Sequence, residues 1–128
     1  MKNKYYFTPV MLLLILIVSM IVMSCAPPVE EKCPIPDGSK ITVSRGTAAT
    51  GGMIINGAPG AVQPGATVTI TDEGGRSVTT TADQNGAFTL MEADLPMDFD
   101  HTLGNELSVT QNSEGCTQSD AVDVPIEA

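Results

Sequence analysis

Pro64-Gly65-Ala66-Thr67-Val68-Thr69-Ile70-Thr71-Asp72-Glu73-Gly74-Gly75-Arg76-Ser77-Val78-Thr79-Thr80-Thr81-Ala82-Asp83-Gln84-Asn85-Gly86-Ala87-Phe88 is the stretch that decides the fold. Val68 and Ile70 alternate with Thr67, Thr69 and Thr71. A period of two with β-branched residues puts one set of side chains in a core and the other in water, as half-buried strands require. The breaks carry turn chemistry: Pro64-Gly65, Gly74-Gly75 and Asn85-Gly86. Asp72–Gly75 is expected to link two strands as a hairpin. Ala82–Gly86 is expected to link the next two, with Asn-Gly supplying positive φ.

The same alternation continues outward. Ile41 and Val43, Phe88 and Leu90, Leu107 and Val109, and Val122, Val124 and Ile126 all alternate with polar residues. Seven strands are predicted, near 40–45, 52–57, 66–72, 76–82, 87–91, 106–111 and 120–126. Seven short strands at this spacing suggest two antiparallel sheets packed face to face. After Cys25 no segment has a convincing helical period. The expected fold is all-β, with a domain over residues 40–128.

The N-terminus is of another kind. Lys2 and Lys4 precede an uncharged run from Tyr5 to Ser24, and Cys25 follows. The run resembles a bacterial lipoprotein signal peptide, a hydrophobic signal helix ending in a lipobox. Small Ser24 directly precedes Cys25, Val22 supplies the aliphatic residue three before it, and Pro27-Pro28 lead the chain away extended. The resemblance implies cleavage of residues 1–24 and diacylglyceryl modification of Cys25, typically with palmitate among the acyl chains. An uncleaved membrane helix and an ordinary secretory signal are the competing readings, since about 20 apolar residues also span a bilayer. A lipidated Cys25 places the protein at the cell envelope. The resemblance also implies a location: such lipoproteins tend to stay at the inner membrane when Asp follows the cysteine, and Ala26 stands there instead, so the outer membrane is expected where there are two membranes and otherwise the outer face of the cell membrane. Residues 25–39 then form the lipidated cysteine and a short tether. Ala26–Lys32 reaches about 25 Å at about 3.3–3.6 Å per residue.

Charge limits the partners. Without Lys2 and Lys4, four basic residues (Lys32, Lys40, Arg45, Arg76) face fifteen acidic ones, and the net charge moves from −9 to −11. This argues against nucleic acid, whose phosphates need Lys and Arg, and against docking on anionic headgroups. With Cys25 lipidated, Cys33 and Cys116 remain as an even pair suited to a disulfide in an oxidising compartment. With His101 alone they lack the short paired spacing of zinc sites.

Asn56-Gly57-Ala58-Pro59-Gly60, Pro64–Ile70, Ala82–Phe88 and Leu107-Ser108-Val109-Thr110 occur in that order. They resemble a bacterial immunoglobulin-like domain, over about residues 40–127. The resemblance implies an immunoglobulin-like β-sandwich of about seven strands. It also implies that Cys33, before the first strand, and Cys116, between the last two, lie at the same end and pair. Glu92–Glu106 is longer and more acidic than the family's pattern, and Cys116 stands where a polar residue is usual.

Candidate chemistry is sparse. His101 is the only histidine and falls in a predicted loop, read as solvent-exposed. Phe88 and Phe99 are the only aromatic residues after Cys25, so sugar platforms are lacking. Glu92, Asp94, Asp98, Asp100 and Glu106 share one loop. Asp94, Asp98 and Asp100 are the candidate calcium ligands, because calcium wants clustered hard oxygens. Leu103 stands where an EF-hand needs its glycine. The glycine pairs lack the Lys-Ser/Thr of a phosphate loop. No catalytic residues are assigned. The expected role is a non-enzymatic, lipid-anchored binding or structural module that meets another envelope or surface protein. A calcium-binding β-sandwich and an accessory domain of an envelope enzyme or surface machine are the alternatives.

Overall fold

A computed structural model of the chain describes residues 27–46 and 52–128. The hydrophobic segment, Ser24, Cys25 and Ala26 therefore lie outside the described residues. No helix among the described residues is long and apolar enough to cross a membrane.

The described chain is all-β, with strands β1 (Ile41–Arg45), β2 (Met53–Gly57), β3 (Thr67–Thr71), β4 (Ser77–Thr81), β5 (Phe88–Met91), β6 (Glu106–Asn112) and β7 (Val122–Glu127). Each falls within a residue or two of its predicted range. Two short 3₁₀ turns, Gly38–Lys40 and Glu92–Asp94, are the only helical elements described.

The strand order is β4-β3-β6-β7-β1-β2-β5. Two antiparallel groups, β4-β3-β6-β7 and β1-β2-β5, meet at a parallel pairing of Val43 with Ile126 and Ser44 with Glu127. Two separate antiparallel sheets were expected, and β7 instead serves both groups. Its first residues pair with β6 and its last with β1. Pro125, which has no backbone donor, stands where β7 passes from one neighbour to the other.

The core follows the alternation. Ile41, Val43, Met53, Ile55, Val68, Ile70, Phe88, Leu90, Leu107, Val109, Val124 and Ile126 are all buried. Burying each such side chain contributes about 1.5–3 kcal/mol against chain entropy. β4 buries none of its residues and is an edge.

The β3–β4 hairpin forms as expected, with Thr71 opposite Ser77. The second hairpin does not. β4 pairs with β3 and β5 pairs with β2, so Ala82–Ala87 carries the chain from one group to the other. The reason is long-range. Gly60 N–H donates to the Asn85 carbonyl (2.8 Å), and Val62 N–H to the Gly86 carbonyl (3.3 Å). These bonds dock the Asn85-Gly86 turn on the β2–β3 connection, while the turn itself closes through Asp83 N–H and the Ala87 carbonyl (2.8 Å). Gly86 does have positive φ, +73°. A Cβ there would collide with the Val62 carbonyl, so glycine is required by close approach as well as by φ.

Candidate functional site

The two ends of the molecule differ. At one end Cys33 and Cys116 form a disulfide, with Cα atoms 5.0 Å apart. Cys33 N–H donates to the Thr117 carbonyl (2.8 Å) and Thr117 N–H to the Glu31 carbonyl (2.9 Å), so the segment before β1 is bound to the β6–β7 connection. Gln111 lies behind this tie, 2 % exposed. Its Oε1 accepts from Gln63 N–H (2.7 Å), its Nε2 donates to the Pro34 carbonyl (2.6 Å), and its own N–H donates to Ser119 Oγ (3.0 Å). These bonds satisfy a buried amide that would otherwise cost about 1–3 kcal/mol. Sequence reasoning missed Gln111, although it continues the alternation of Leu107 and Val109. Lys32 and Asp120 also pair here, but both are more than half exposed and add little.

The opposite end carries residues 92–106. β6 runs between the two ends, and seven residues span about 20 Å at about 3.3 Å each. The acidic residues of this loop mostly hold the chain itself. Glu92 Oε2 accepts from Met53 N–H (2.7 Å) and Asp94 Oδ2 from Met91 N–H (2.9 Å). Asp100 accepts from Thr102 N–H (2.9 Å) and Asn105 Nδ2 (2.7 Å). Phe99, missed as a core residue, is 3 % exposed and sinks the loop's middle into the core.

Asp72 is the hinge of this end. Its side chain is 0 % exposed. Oδ1 accepts from Arg76 N–H (2.9 Å), and Oδ2 from Arg76 Nε (2.8 Å) and from Asp100 N–H (2.9 Å). One carboxylate therefore closes the β3–β4 turn and ties it to the 92–106 loop. Burial opposes the charged form, yet the Arg76 and Asp100 N–H groups and the Arg76 guanidinium outweigh it and hold the pKa below the ordinary value. Asp100 is held down to about 2, first by the Thr102 side chain and then by Asn105.

His101 was expected in open solvent. It is 26 % exposed, and its Nε2 lies 2.8 Å from Glu92 Oε1. Arg45 Nη1 donates to the His101 carbonyl (3.4 Å). Among the described residues no hydroxyl or thiol is hydrogen-bonded to the ring, so the arrangement is a latch rather than a nucleophile–base pair.

The structure does not bring Asp94, Asp98 and Asp100 together as a calcium set. Among the described residues no group of three or more His, Cys, Asp or Glu side chains is arranged to hold a metal ion. Asp94 and Asp100 already accept from chain donors on separate stretches of the loop. Met97, 99 % exposed, and Leu103, 49 % exposed, crown this end. An open groove of about 480 Å³ lies between Asn56, Pro59, Thr81, Asp83, Phe88 and Thr89. Its one carboxylate, Asp83, is occupied by Asn85 N–H (2.7 Å) and Ala87 N–H (3.0 Å).

Depressed carboxylate pKa values set an acid limit. Asp72, Asp83 and Asp100 all bind protons more weakly folded than unfolded. Asp100 loses its contribution as pH falls from the unfolded value near 3.8 towards about 2, and Asp72 and Asp83 lose theirs in the same direction as pH falls below 3.8. The expected melting temperature is level between about pH 7 and 5 and declines from about pH 4 downwards, with a smaller decline in Asp100→Asn. Thermal melts across that range check this, and a melting temperature unchanged at about pH 2 would contradict it.

No protein-family model matches the chain, and a search of curated proteins finds no match.

Proposed function

We propose that this protein is a lipid-anchored, non-enzymatic module of the cell envelope, built as an immunoglobulin-like sandwich and displaying its 92–106 end to another envelope or surface protein. The observation that carries the reading is polarity along the fold. The segment following Cys25 is tied by the Cys33–Cys116 bond to one end of β6, while residues 92–105 precede the other end. The strand order is compatible with a sandwich, because β1-β2-β5 and β4-β3-β6-β7 form two antiparallel groups of three and four strands. Acyl chains on Cys25 hold the near end at the bilayer, several being needed for firm retention. The far end, with exposed Met97 and Leu103 set among carboxylates, faces solvent. An anionic end gains nothing beside anionic headgroups and is better placed there.

Two measurements test the reading. Cys25→Ser is expected to leave the precursor uncleaved and unlabelled by fatty acid, and unchanged labelling refutes the anchor. Single added cysteines at Thr102 and Glu114, with the native disulfide kept, are expected to react with maleimide on intact membranes faster at Thr102. Equal access, or greater access at Glu114, refutes the display of residues 92–106.

A further inference from the structure

The two edges of the strand array are treated differently. β5 is four residues long, and the N–H of its last residue, Met91, is capped by Asp94 Oδ2. A carboxylate on an edge strand blocks an incoming strand. Among the described residues β4 has no such guard. Ser77-Val78-Thr79-Thr80-Thr81 holds no charge and no proline, and it pairs with β3 residue for residue without a bulge.

The phase of the β4 hydrogen bonds follows from its flanks. Asp72 N–H donates to the Arg76 carbonyl, and Ala82 N–H to the Ala66 carbonyl, each at 2.9 Å. Antiparallel pairs alternate between bonded and non-bonded, so Val78 and Thr80 bond to β3. Ser77, Thr79 and Thr81 therefore turn their N–H and C=O groups to the open edge. Three donors and three acceptors stand in a row on a strand of high β-propensity.

We infer that this edge pairs with β4 of a second copy of the chain, antiparallel about a two-fold axis at Thr79. Thr79 then faces Thr79, and Ser77 faces Thr81 in both directions. All three pairs are of the bonded kind, giving six backbone hydrogen bonds. Odd-numbered side chains meet on the outer face as Ser and Thr only. At the margins Arg76 faces Ala82 of the second copy, one residue from its Asp83. The Arg76 side chain is 42 % exposed and positive, whereas Asp83 is exposed and negative. A chain with net charge −9 repels itself over most of its surface, and the uncharged β4 edge with these opposite charges beside it is where two copies can meet. The product is one continuous sheet, β7-β6-β3-β4 joined to its own image.

The test is sedimentation equilibrium of the full chain in detergent, with amide exchange followed over the same concentrations. The expected result is a reversible dimer, with exchange at Ser77, Thr79 and Thr81 slowing as concentration rises. Thr79→Pro removes the outward N–H at the axis from both copies while leaving every β3 bond in place. It is expected to raise the dissociation constant about thirtyfold with the melting temperature nearly unchanged. If that variant does not fold, Thr79→Lys keeps the N–H and sets two like charges at the axis, and it is expected to weaken the dimer comparably. A chain that stays monomeric at about millimolar concentration, exchange at Ser77, Thr79 and Thr81 independent of concentration, or a dimer untouched by the substitutions would each overturn the inference.

Discussion

Replacing Cys33 and Cys116 together by alanine is expected to destabilise the protein by about 4 kcal/mol and lower its melting temperature by about 20 °C. The bond spans 83 positions, so its loss frees a long loop in the unfolded chain. It also removes the strongest tie on the segment before β1. What remains includes the Lys32–Thr117 bridge, the exposed Lys32–Asp120 pair, the bond from Gln111 Nε2 to the Pro34 carbonyl and that from Asp37 N–H to the Ala61 carbonyl. Cys33 is 3 % exposed and packs against Ser113, so alanine leaves a small void as well. Denaturant titration of the double variant against the oxidised parent measures the difference. A loss below about 1 kcal/mol would mean that the bridge adds little to a domain already closed by its sheet. The loss is expected to concentrate at the tether end, with exchange at position 33 and at Thr117 rising before that at Leu107 and Val109.

Asp72→Ala is expected to cost about 3 kcal/mol, the second largest effect, and to loosen the far end selectively. The substitution leaves Arg76 N–H, Arg76 Nε and Asp100 N–H without their acceptor in a place where the carboxylate is fully covered. Asp72→Asn keeps one acceptor oxygen and loses the charge, so about half that loss is expected. Amide exchange separates this from a general weakening. Asp100 and Thr102 are expected to exchange faster in Asp72→Ala while Cys33 and Thr117 are unchanged. Stability within about 0.5 kcal/mol of the parent, or uniform loosening of both ends, would contradict the role assigned to Asp72.

The same side chains show why the candidate site was only partly legible in the sequence. The acidity of residues 92–106 is plain to read, but its use is not. A run of carboxylates looks alike whether it awaits a cation or caps its own backbone, because the donors come from β2, from β5 and from elsewhere in the loop. His101 reads as a loop residue until Glu92, nine positions away, is brought against it. Phe99 ends an alternating series with Leu95 and Met97, but Met97 is 99 % exposed, so the alternation alone does not mark Phe99 as buried, and only the closing of the loop buries it.

Strand identity was determined by the sequence alone. The pleat alternates side chains with a period of two, so Val68-Thr69-Ile70 or Leu107-Ser108-Val109 specifies both a strand and its buried face without reference to any other residue. Turn positions were determined likewise, since Gly74-Gly75 and Asn85-Gly86 supply backbone freedom locally. The even pair of cysteines and the excess of acid were equally plain. The tertiary structure alone decided which strand lies beside which. Asn85-Gly86 permits a tight turn but does not choose the next strand's partner. That choice went to β2, because the β2–β3 connection bonds to Asn85 and Gly86 and turns β5 into the other group. It also decided that β7 serves two neighbours, that Asp72 holds two distant turns, and that β4 ends as an open edge. Alternation and turn chemistry act over a few residues, whereas pairing is settled by contacts between segments far apart in the chain.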